Sequence, residues 1–125
     1  MLKKFEDLIA HLLEKFGWSV EPMDYTKDGG IDIIAVRRVD PNVDFRMMVQ
    51  CKKFSQTRKV GVEVVRELFS VKWENAFHQA MIATTSSFTK GAVAKADIWN
   101  LELRDHKAIA DWCKEYGEVI TYNHA

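Results

Sequence analysis

Apolar residues near the start of the chain recur at helical spacing: Leu2, Phe5, Ile9, Leu12, Leu13 and Phe16, with Gly17 behind them as a stop signal. The spacing predicts an amphipathic first helix, with Glu6 at the edge of its apolar arc and Asp7 and Glu14 pointing outward. The period then changes. Trp18 to Glu21 reads as a short strand, and residues 22–27 form a loop into Asp28-Gly29-Gly30, where Asp28 is either a turn residue or a second acid. Two nearly continuous apolar runs follow, Ile31-Ile33-Ile34-Ala35-Val36 and Met47-Met48-Val49, the signature of strands covered on both faces. Asp40-Pro41-Asn42 supplies the turn between them, so the pair reads as an antiparallel hairpin.

Farther along, residues 55–59 loop into a helix of about 61–75, with Val62, Val65, Leu68, Phe69 and Trp73 on its buried face and Arg66 and Lys72 on the other. His78 reads as the beginning of a strand, and residues 80–85 as a buried strand that joins the sheet in parallel through a right-handed crossover. Thr85, Ser86 and Ser87 stand where that strand hands over to a helix of about 89–100; their hydroxyls can cap it, or free amides there can hold a phosphate. A short strand at 101–104, a closing helix at 106–116 and a tail at 117–125 read as a partner or edge strand complete the chain. The fold class is α/β, an α-β-β-β-α-β core with trailing α-β-α elements and a mixed sheet flanked by helices.

Composition narrows the reading. A chain of 125 residues, 47% of them hydrophobic, builds one core, so a single domain over 1–125 is expected. No secretory signal and no membrane-length apolar run is present, and the only cysteines are Cys51 and Cys113, so a cytoplasmic protein with reduced thiols and no membrane partner is expected. His11, His78, His106 and His124 lack ligand spacing, which argues against structural zinc. The formal net charge is zero, but its distribution is uneven. Between residues 46 and 72, Arg46, Lys52, Lys53, Arg58, Lys59, Arg66 and Lys72 face only Glu63 and Glu67, whereas acids dominate the first 32 residues. A polyanion would meet the middle of the chain.

The hairpin carries the chemistry. With its turn between Pro41 and Asn42, Asp32 falls opposite the stretch Gln50 to Lys52, and cross-strand neighbours lie about 4.5–5.5 Å apart at Cβ. An acid, an amide and an amine can then converge on a metal ion and a phosphodiester. The plainer alternative is an Asp–Lys pair on a solvated sheet face. Cys51 alternates away from Gln50 and Lys52 into the core, and no His stands nearby in sequence to lower its pKa, which argues against a nucleophilic role.

The order Phe5-Glu6, Gly17-Trp18-Ser19-Val20, Asp28-Gly29-Gly30-Ile31-Asp32, Gln50-Cys51-Lys52 and Thr84-Thr85-Ser86-Ser87-Phe88 resembles the Mrr-type catalytic domain of the restriction-endonuclease-like PD-(D/E)xK superfamily, across residues 1–112. The resemblance implies a three-layer sandwich that cleaves DNA with Mg²⁺, Mn²⁺ being a substitute. It implies an active site of Asp32, Gln50, Lys52 and Glu6, with the metal held by Asp32, Gln50 and Glu6. Gln50 replaces the superfamily's commoner carboxylate with a weaker ligand. Lys53, Arg58, Lys59, Arg66, Ser86 and Ser87 are the expected DNA contacts, and a homodimer would cut both strands most simply. Two other classes stand beside this one: a DNA-binding module that does not cleave, and an interaction subunit using Trp18, Trp73, Trp99 and Trp112.

Overall fold

A computed structural model of the protein describes residues 4–21 and 30–115. The elements in order are α1 (Phe5–Lys15), β1 (Ser19–Glu21), β2 (Ile33–Asp40), β3 (Val43–Lys52), α2 (Val62–Glu74), β4 (Gln79–Thr84), α3 (Lys90–Trp99), β5 (Glu102–Arg104) and α4 (His106–Glu115). They form one five-stranded sheet in the order β1-β2-β3-β4-β5. β1, β2 and β3 run antiparallel, and β4 and β5 add in parallel. A two-residue turn joins β2 to β3, whereas the parallel pair β3–β4 needs a crossover, which α2 supplies.

Alternation along the strands explains the continuous apolar runs. Ile33, Ala35, Met47, Val49 and Met81 face one layer, where Leu8, Ile9 and Leu12 of α1 and Ile109 and Trp112 of α4 cover them. Met48, Ala80 and Ile82 face the other, under Val65 and Leu68 of α2 and Ala92 and Ala96 of α3. Both sheet faces are thus removed from water by helices, giving the expected mixed sheet between helical layers.

The hairpin register depends on one residue. Arg38 pairs with Asp44 but Asp40 with Val43, so Val39 is a bulge that shifts everything below it. Ile33 therefore pairs with Val49, and Asp32, one step farther, comes alongside Gln50, at the near end of the stretch expected from a symmetric turn. Asp40 Oδ1 closes the turn by accepting from the Asn42 amide at 2.9 Å.

Three expectations change. Trp73 is 79% exposed, because α2 runs a turn past Phe69, the point at which Trp99 of α3 stacks on it. Phe16 is also exposed, although it keeps an edge contact to Trp112. The cap of α3 is Thr89, whose hydroxyl accepts from the Ala92 amide, while Thr85 and Ser86 bond elsewhere. Leu2, Asp28 and the tail read as a strand lie outside the described residues. No helix among the described residues is long and apolar enough to cross a membrane.

Candidate active site

The chain enters the site through Gly30, whose φ of 96° is open to glycine at little cost. A Cβ on Gly30 would lie 2.9 Å from Nε2 of Gln50, so the missing methyl group is the space that the amide occupies. Two residues later the Asp32 amide donates to the Val49 carbonyl at 2.9 Å, holding the start of β2 to β3. Asp32 Oδ2 accepts from the Cys51 amide at 2.7 Å. This short, charge-assisted bond fixes the carboxylate at the end of β3 and leaves Oδ1 without a hydrogen bond among the described residues.

Gln50 is 3% exposed, yet its Oε1 finds no hydrogen-bond partner. An orphaned buried acceptor is costly and calls for a ligand. Lys52 follows at the next same-face position, half-buried, its ammonium free of ion pairs among the described residues. Its carbonyl accepts from Thr84 Oγ1 at 2.7 Å and from the Thr85 amide, which locks this end of β3 against β4.

Glu6 enters from α1, half-buried. Like Asp32, it acts on Cys51: burial pushes the Cys51 thiol well above its ordinary value, and the charges of Asp32 and Glu6 push it further. Cys51 packs against the α1-side core as a protonated thiol, as its alternation implied. No three His, Cys, Asp or Glu side chains converge among the described residues, so a cation here would rest on Asp32, Glu6 and the amide oxygen of Gln50. An unpartnered amide oxygen beside an anchored carboxylate is a hard-oxygen donor set of the kind magnesium takes, with water and substrate filling the remaining positions.

Beyond Lys52 the loop to α2 is stapled to the end of β4. Thr85 Oγ1 donates to the Phe54 carbonyl, Ser86 Oγ to the Arg58 carbonyl, both at 2.7 Å, and Gln56 Nε2 to the Thr85 carbonyl at 3.2 Å. Lys53, Arg58 and Lys59 stand exposed on this loop, Arg58 over the Phe54 ring at 4.0 Å, and Arg66 is exposed on α2. Ser86 departs from its expected role: it is 1% exposed and its hydroxyl holds the loop, so it does not face a phosphate. Ser87 is half-buried, with its carbonyl taken by the Val60 amide. Sequence reasoning missed Gly30 as the seat of Gln50 and Thr84, Thr85 and Ser86 as staples. The Gly-Gly pair was the one signal available; the staples depend on β3–β4 pairing.

A mixed sheet between helical layers, with an acid at the mouth of β2 and Gln-x-Lys ending β3, defines a restriction-endonuclease-like domain. The chain belongs to the Mrr catalytic-domain family, described as restriction endonuclease, whose model matches residues 2–113. Among solved structures it is similar to the DNA modification-dependent restriction endonuclease AspBHI, at 18% identity and a TM-score of 0.73 over 90% of this chain and 31% of that one. It is also similar to AF1548, a protein of unknown function (20%, TM-score 0.72, 88% and 64%). The MspJI restriction endonuclease in complex with a 27-mer oligonucleotide aligns at 16% and a TM-score of 0.63 over 95% and 33%. These likenesses are of fold, and the chain spans about a third of the AspBHI and MspJI chains. No curated protein matches the sequence.

Proposed function

We propose that this chain is the catalytic domain of a Mg²⁺-dependent DNA endonuclease, active also with Mn²⁺, that hydrolyses phosphodiester bonds in the restriction of foreign or modified DNA. The observation that carries the reading is the buried, unpartnered Oε1 of Gln50 beside the anchored carboxylate of Asp32. Bound Mg²⁺ supplies a polarised phosphoryl oxygen and a water of lowered pKa. Asp32, its orientation set by the Cys51 amide, gives the main negative charge that holds the ion, Gln50 adds its neutral oxygen, and Glu6 a second charge from α1. Lys52 brings an ammonium to the reacting phosphate and stabilises the charge that develops there. The exposed cations Lys53, Arg58, Lys59 and Arg66 neutralise flanking phosphates, and Ser87 stands at the same edge. The names of two of the similar structures, the DNA modification-dependent AspBHI and MspJI with its oligonucleotide, agree with DNA as the partner.

A second reading has one observation in its favour: the neutral amide where a carboxylate is commoner, consistent with a module that binds DNA without cutting it. One experiment separates the two. The protein is incubated with plain, methylated and branched DNA and Mg²⁺ or Mn²⁺, and cleavage and binding are measured under single-turnover conditions. The parent should cut at least one substrate, and a folded Asp32→Ala variant should not. A variant that cuts as fast as the parent removes Asp32 from the site, and a parent that binds without cutting under either metal makes the chain a binding module.

A further inference from the structure

Three polar side chains are buried among the described residues, Gln50, Thr84 and Ser86, and they gather where β3 and β4 end. Gln50 offers its amide oxygen to the site, and Ser86 holds the loop through the Arg58 carbonyl. Thr84 has no such assignment. It closes β4 after Ala80, Met81, Ile82 and Ala83, all buried and apolar, at a position that a Val side chain would fill with the same shape. A hydroxyl buried there is costly unless it is bonded. Both of its capacities are used: Oγ1 donates to the Lys52 carbonyl at 2.7 Å and accepts from the Ser86 amide at 3.1 Å.

Lys52 is the last residue of β3, and Lys52–Thr84 is the last pair of the β3–β4 ladder. The Lys52 carbonyl has two donors, the Thr84 hydroxyl at 2.7 Å and the Thr85 amide at 3.3 Å, so the side chain makes the shorter bond. The Lys52 ammonium makes no ion pair among the described residues, and its aim depends on how the strand end is held. Thr84 suits that task, because a β-branched side chain is stiff about χ1. We propose that Thr84 is a positioning residue of the nuclease reaction, its hydroxyl fixing the end of β3 so that Lys52 presents its ammonium to the reacting phosphate. This rests on the nuclease reading given above. A displacement of about 1 Å can cost a hundredfold in rate, so the hydroxyl should matter to the chemical step. It should matter little to DNA affinity, since the loop that carries Lys53, Arg58 and Lys59 keeps its own bonds from Thr85 Oγ1, Ser86 Oγ and Gln56.

The test compares Thr84→Val and Thr84→Ser with the parent in unfolding free energy, DNA affinity and single-turnover cleavage with Mg²⁺ or Mn²⁺, under conditions where each is folded. Thr84→Val should cut at least about tenfold more slowly, with DNA affinity within about twofold of the parent's. Thr84→Ser, which keeps the donor, should cut within about threefold of the parent. Thr89→Ala, which loses a threonine hydroxyl bond at the start of α3, controls for stability and should cut as the parent does. The double variant Lys52→Ala/Thr84→Val should be no more than about twofold slower than Lys52→Ala alone, because a residue acting through the ammonium adds nothing once it is gone. If Thr84→Val does not fold, Thr84→Cys takes its place, a thiol being a weak donor of similar size, and should be several-fold slow. A parent-like rate in the folded Val or Cys variant overturns the proposal, as does Thr84→Ser as slow as Thr84→Val, or slowing in the double variant by the product of the two single losses. Lost DNA affinity with an unchanged rate per bound complex overturns it too. A parent that cuts no DNA, or Lys52→Ala cutting as fast as the parent, overturns the nuclease reading along with it. A slow Lys52→Ala beside a parent-like Thr84→Val overturns the role of Thr84 alone.

Discussion

Lys52 and Cys51 are neighbours with opposite surroundings, and their chemistry divides accordingly. Lys52 makes no ion pair among the described residues, so its charge is available to a substrate. Lys52→Ala should slow single-turnover cleavage about a hundred- to a thousandfold, the loss typical of one preorganised donor. DNA binding should persist, its salt slope falling by about one unit or less. If binding collapses while cleavage per bound complex is unchanged, Lys52 docks DNA and does not act on the phosphate. Cys51 instead is held protonated, first by burial and then by Asp32 and Glu6. Below the ordinary thiol value of 9.0 both folded and unfolded states carry the proton, and this group leaves stability independent of pH. Above it the unfolded thiol ionises while the folded one does not, so stability should fall with a slope of up to about 1.4 kcal/mol per pH unit. Denaturant unfolding from about pH 8 to about pH 10 checks this, since Cys51→Ala should remove that part of the fall. At this scale the shared strand-end placement of Asp32, Gln50 and Lys52 was legible from residue type and alternation. Gly30 was legible only as a turn residue, because the need for a missing Cβ arises where Gln50 packs over it.

At the scale of elements, periodicity located every helix and strand that the described residues contain, while ends and caps followed local hydrogen bonding. α3 illustrates the division. It starts after Thr89, whose hydroxyl accepts from the Ala92 amide at 3.1 Å, and closes on Asn100 in the left-handed region. Thr89→Ala should cost about 1 kcal/mol in equilibrium unfolding and leave cleavage unchanged where the protein is folded, because α3 carries no residue of the candidate active site. A loss of activity without loss of stability would give the end of β4 a direct role. The hydroxyls of Thr84, Thr85 and Ser86 looked equally suited to capping in one dimension. Which carbonyls they meet depends on Lys52 pairing with Thr84 in the parallel ladder, which brings the loop carbonyls of Phe54 and Arg58 within reach.

For the whole molecule, the exposed Trp73 marks where helix periodicity stops being a guide to burial. The spacing Phe69, Trp73 predicts one buried stripe, but the covering layer ends at Trp99, and the second ring of the stripe faces water. Trp73→Ser should therefore change the unfolding free energy by no more than about 0.5 kcal/mol, as surface substitutions do. A homodimer on DNA is the proposed assembly; sedimentation of the protein with a duplex should show two chains, and one chain per duplex overturns it. If Trp73→Ser weakens that dimer without touching stability, the exposed ring belongs to the interface.

Hydrophobic period, turn residues and the order of Asp32, Gln50 and Lys52 are local properties, written in neighbours along the chain, and they were enough to define the layers, the hairpin and the family. Other features required distance in space. The bulge at Val39 that sets Asp32 beside Gln50, the empty Cβ position of Gly30 that seats the amide, the burial that withdraws Ser86 from solvent, and the bond of the Thr84 hydroxyl to the Lys52 carbonyl each join residues far apart in sequence. Only folding fixes such distances, because alternation states which face a side chain takes but not what the opposite layer places against it.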